Sequence, residues 1–110
     1  MSNPRYRNGH RRREGQAYYR ARRADCYICG RPIDYGLRPP DPWSFVIDET
    51  VAIANGGRVC RANSGPAHRW CNAVKGTHTL EWARAEVKRR LAGGKPAAAP
   101  KPRDFEAADW

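Results

Sequence analysis

The stretch Ala67-His-Arg-Trp-Cys-Asn-Ala-Val-Lys-Gly76 places two metal-ligating residue types, His68 and Cys71, three positions apart. On a helix, positions i and i+3 share a face, so both side chains reach one ion. Upstream, Cys26-Tyr-Ile-Cys-Gly30 spaces two thiols as a knuckle. Its tight turn aims both thiolates at a single metal, and Gly30 tolerates the turn that follows. The two pairs make a Cys3His set, the tetrahedral donor chemistry of structural zinc, with Zn–S near ~2.3 Å and Zn–N near ~2.0 Å. Cys60 is the remaining cysteine: either it replaces His68 as a ligand or it is a free thiol near a loop.

Zinc suits this chain because its core is modest. A sequence of 110 residues with 10 Gly and 9 Pro makes one small domain, and a metal adds the stability such a core lacks. No stretch approaches the roughly 20 apolar residues of a membrane span, and the first residues carry no apolar signal region. A cytoplasmic location is expected, where a disulfide framework is disfavoured and cysteines serve as ligands or plain thiols. The net charge of +10 is uneven: residues 1–24 hold eight Arg against Glu14 alone. Such an arm points to a polyanionic partner, most simply nucleic acid, with Arg11, Arg12, Arg13, Arg20, Arg22 and Arg23 as phosphate contacts. Arg outnumbers Lys 17 to 4, which favours bidentate contacts. The plainer reading of the arm is a solubilising tail.

The pattern predicts a small α+β chain. Residues 1–9 read as unstructured, followed by a basic helix from His10 to about Ala24. Its thin stripe is Ala17, Tyr18, Ala21 and Ala24, and Gly15 weakens it. A loop spans Asp34 to Pro42. Trp43 to Asp48 alternates and is β-branched, hence a strand, and Val51 to Ala54 is expected as the second. Asn55-Gly56-Gly57 is a turn. Ser64 caps a helix from Gly65-Pro66 to Lys75, stopped by Gly76, and a further helix runs from Leu80 to Ala92 with Leu80, Ala83, Val87 and Leu91 on one face. The organisation is a basic arm (1–24), a zinc-held domain (25–76), a C-terminal helix (77–92), and a Pro/Ala-rich linker with an acidic tail (93–110), expected to be disordered. Trp43, Trp70 and Trp82 are expected in the core, and His10 and His78 in solvent.

Taken in order, Cys26-x2-Cys29, a strand ending in Asp48-Glu49, Asn55-Gly56-Gly57, Asn63 and His68-x2-Cys71-Asn72-x2-Lys75-Gly76 resemble the HNH endonuclease family. The likeness covers about residues 24–76 and is nearest the small nucleases of phages and prophages that carry a zinc knuckle. It implies a ββα-metal fold (His-Me finger, treble-clef-like), stapled by zinc, with flanking helices. It also implies hydrolysis of DNA phosphodiester bonds with Mg²⁺ or Mn²⁺ held by Asp48 and Asn72. Asn72 follows Cys71 and points about 100° away on a helix, so one face staples while the next builds the site. Asn63 would orient the base or fix the loop, and Lys75 and Arg69 would hold flanking phosphates. Glu49 stands where the family has its general-base His. A carboxylate with an ordinary pKa near ~4.3 is the weaker base, or else an extra metal ligand. Ala52 stands where the family often has Pro. The partners implied are DNA and a phage terminase or other packaging protein, in the host bacterial cytoplasm. The rival class is a non-catalytic zinc-finger module that binds DNA or RNA, with a decayed metal site. A third is a structural adaptor using residues 93–110.

Overall fold

Antiparallel pairing of Phe45–Glu49 (β1) with Ser64–His68 (β2) forms the centre of the computed structural model, which describes residues 4–92. Every residue of β1 is buried, so this aromatic and β-branched segment is covered on both faces. The register sets Phe45 opposite His68, Asp48 opposite Gly65 and Glu49 opposite Ser64. A sheet of two strands is too small to stand alone, and helices complete it. Helix α1 (Pro4–Arg22) packs on β1, α2 (Arg69–Lys75) packs on both strands, and α3 (Leu80–Arg90) packs on α2. The described residues thus form a small α+β unit with three α-helices.

Two expectations are corrected here. Val51–Ala54 is not a strand. Residues Ile53–Asn55 form a 3₁₀ turn, and the second strand is Ser64–His68, expected as the start of a helix. Pro66 is tolerated because a two-stranded sheet has a free outer edge, where its missing N–H costs nothing. Its carbonyl accepts from the Tyr27 amide at 2.8 Å, which ties β2 to the knuckle. The Gly turn is present, with Gly56 at φ 91° and the Gly57 amide donating to Ala52 O.

Helix α1 begins at Pro4, so residues 4–9 are helical rather than unstructured. Its inward side is also not the Ala stripe, for Ala17 and Ala21 are exposed while Tyr19 is buried and Tyr18 half-buried. The large rings supply the apolar area that Ala lacks. Gly15 lets the helix cross close over the strand: a Cβ there would lie 2.9 Å from Ile47 Cδ1. In α3, Ala83, Val87 and the following Leu91 are buried as the spacing predicts, and the Thr79 hydroxyl caps the helix by accepting from the Trp82 amide. Trp70 is buried and Trp43 packs against it, but Trp82 is 40% exposed and does not belong to the core. The expectations for residues 1–3 and 93–110 lie outside the described residues. No described helix is long and apolar enough to cross a membrane.

Candidate metal centre and the buried polar cluster beside it

The knuckle Cys26–Cys29 and the β2–α2 junction meet at four donor atoms, all within 4.8 Å of one another: three sulfurs, from Cys26, Cys29 and Cys71, and a His68 nitrogen. His68 ends β2 as the residue before α2, and Cys71 lies in the first turn, so the three-residue spacing works across a strand–helix corner. Its Nδ1 is 3.3 Å from Cys29 Sγ and 3.8 Å from Cys71 Sγ. Its Nε2–H donates to Pro32 O at 3.1 Å, leaving the Nδ1 lone pair for a metal. The amides of Cys29 and Arg31 each approach a knuckle sulfur at 3.5 Å and favour thiolates. Three sulfurs and one imidazole at this spacing can hold a metal ion such as zinc, and four protein donors close the shell. Cys60 lies outside the cluster as a half-buried free thiol.

Without metal, protons crowd this centre. Hydrogen bonds from Cys29 and Cys71 drive the Cys26 thiol far down, while those to Cys26 and Cys29 drive the Cys71 thiol far up. Burial opposes protonation of His68, but its hydrogen bonds to Cys26 and Cys29 outweigh this and push it up to about 9.

Beside the cysteines lie Asp48, Glu49, Asn72 and Lys75, all buried. Lys75 Nζ is 3.3 Å and 3.4 Å from the two Asp48 oxygens and donates to Glu49 O at 2.9 Å. The expected surface contact of Lys75 with phosphate is therefore corrected: its side chain is fully buried, because Asp48 in a covered strand needs a counter-charge. The Tyr27 hydroxyl donates to Asp48 Oδ2, and its ring lies over Gly65, where a Cβ would come within 2.3 Å of it. Burial raises the Asp48 pKa, against the opposing pull of Tyr27 and Lys75. Burial likewise raises that of Glu49, opposed by Arg12, whose Nη2 is 3.4 Å from Glu49 Oε1. Both Asp48 oxygens and the Glu49 carbonyl thus converge on one cationic centre, the Lys75 ammonium. A divalent ion held by Asp48 would have to displace this ammonium. Among the described residues, the Cys/His set is the single cluster of three or more Cys, His, Asp or Glu donors.

Asn63 fixes the loop. Its carboxamide accepts from Val51 N at 2.8 Å and donates to Val51 O and Arg58 O, both at 2.9 Å. Of the arm, Arg13, Arg22 and Arg23 are exposed, and Arg20 donates to Tyr35 O at 2.8 Å. Arg69 opens α2 half-buried, and the Arg11 side chain lies outside the described set. Two residues escaped the sequence reading. Tyr27 carries no signal beyond standing between the cysteines, and Arg61 joins Arg22 over the Tyr18 ring, at 4.3 and 3.6 Å. Arg12, Glu49, Cys60 and Arg61 line a cleft of about 190 Å³ between α1 and the segment before β2. In comparison with known proteins, no family model, curated protein or solved structure matches this chain.

Proposed function

We propose that the chain is a metal-dependent DNA endonuclease of the HNH type, on a zinc-stapled ββα-metal plan. The observation that carries this reading is that Asp48, Glu49 and Asn72 are each buried, in a chain with little core to spare for polar groups. Buried carboxylates whose pKa values are shifted by desolvation and a charged neighbour are candidates for a functional site. On this reading Asp48 and Asn72 hold Mg²⁺ or Mn²⁺, which supplies charge neutralisation at the scissile phosphate. Glu49 takes the proton of the attacking water, and its burial moves its pKa in the direction that strengthens a base. Arg12, now on Glu49, turns to the substrate phosphate, and Arg61 holds the next one. Target choice falls to a packaging protein such as a phage terminase.

One observation favours a second reading, a non-catalytic nucleic-acid-binding module. Lys75 already satisfies Asp48 without a metal. Supercoiled plasmid incubated with Mg²⁺, Mn²⁺ or EDTA separates the two. Nicking that needs the divalent ion and disappears in Asp48→Ala supports the nuclease. Plasmid retardation without nicking under any ion supports the module.

A further inference from the structure

Among the described residues, the large apolar side chains left exposed are Val51, Ile53 and Trp82, and one cleft has Val51 and His78 in its lining. Val51 lines it, Ile53 sits in the 3₁₀ turn along its edge, and Trp82 stacks on its wall residue His78. In a chain this polar (mean hydropathy −0.89), an exposed aromatic stack and an exposed apolar residue at one cleft make a candidate binding surface. The cleft measures about 610 Å³ and is also lined by Thr50, Asn55, Thr77, Thr79, Leu80 and Arg84. The His78 and Trp82 rings are 3.9 Å apart and 23° from parallel, a two-ring stack already formed at the surface.

We propose that this cleft binds an unstacked base of a nucleic-acid strand, as a third layer on the His78–Trp82 pair. The inference rests on the nucleic-acid reading above but not on cleavage. A net charge of +10 selects a polyanion as the partner, and a flat heterocycle is the part of it that an aromatic stack accepts. Arg84, anchored by donation from Nε to Tyr27 O at 2.9 Å, stands on the rim for the attached phosphate. Glu81, also on the rim, keeps phosphate out of that edge, so the base enters instead. The cleft starts at Thr50, two residues and at most about 7 Å of chain beyond Asp48.

The test measures binding of an oligothymidylate and of an abasic deoxyribose-phosphate oligomer of equal length, which carries the same charge without bases. The wild-type chain is expected to prefer the former by about 5- to 150-fold, the worth of one base–aromatic stack. Trp82→Ala and His78→Ala should each lose most of that preference while keeping the affinity for the abasic oligomer. Should Trp82→Ala fail to fold by circular dichroism, His78→Ala decides. Equal binding of both oligomers by the wild type overturns the base site, leaves the nucleic-acid reading intact and assigns the apolar rim to a protein. A preference that survives in both variants places the stack elsewhere and also overturns it. Binding of neither oligomer overturns the nucleic-acid reading together with the base site.

Discussion

Asp48 is held by contacts that differ in kind, among them an ammonium from α2, a phenol from the knuckle and the strand itself. Removing the ammonium alone strands a buried carboxylate. Lys75→Met should therefore cost about 3–5 kcal/mol, read from the urea midpoint, and adding Asp48→Asn should restore much of it. A midpoint within about 1 kcal/mol of the parent would show that the pair is not buried in solution. Tyr27→Phe keeps the ring over Gly65 and deletes one donor, so a smaller loss of about 1–3 kcal/mol is expected on the same scale. Asp48 was legible through the HNH-like order of residues, as the acid at a strand end, but its burial was not. The direction of Lys75 was not, since a Lys near a helix end reads as surface until its partner, 27 residues away, is known. Glu49 is tested through Glu49→Gln, which keeps size and removes the proton acceptor. Cleavage should fall about 10²–10⁴-fold with DNA binding intact, and an unchanged rate would remove Glu49 from the base role.

At the scale of elements, a metal on the Cys/His set would reinforce the junction of the knuckle with the β2–α2 corner, which the Tyr27–Pro66 hydrogen bond already makes. Cys29→Ala should abolish stoichiometric zinc and cooperative unfolding, because the remaining two-stranded sheet is too small to persist. The affinity for zinc should also depend on pH with a definite sign. His68 without metal is pushed up to about 9 and the Cys71 thiol is raised as well, so both are protonated at pH 7 and must release protons to bind zinc. Apparent affinity should therefore climb as pH rises toward 9 and fall on acidification, in a competition titration against a chelator. A flat profile would mean that these groups do not ligate. The ligand set was legible from spacing alone. The strand at Ser64–His68 was not, since Gly65-Pro66 carries no strand propensity. It exists because β1 needs a partner and because a residue without Cβ lets the Tyr27 ring lie against the backbone.

Over the whole molecule, charge was readable in sign and amount but not in place. The Arg-rich arm is not a separate tail in the described part. As helix α1 it packs along β1 through Tyr19 and Gly15, which puts Arg12 at Glu49 and gathers Arg22 and Arg61 about Tyr18. Affinity for DNA should then fall steeply with salt, since each neutralised phosphate adds about 0.9 to the log–log slope. Arg13 and Arg23 are exposed and serve as clean probes. Replacing both with Ala should lower the slope by about 1.8 if each meets a phosphate, with thermal stability unchanged, because exposed charges contribute little to folding. Arg12→Ala should behave differently. It also takes a slope unit of about 0.9, but it uncovers Glu49, whose pKa then rises further as its opposing charge is lost. If α1 lies on DNA as it lies on β1, the two sets of slopes add. An unchanged slope in the Arg13/Arg23 variant would place the duplex on another face of the molecule.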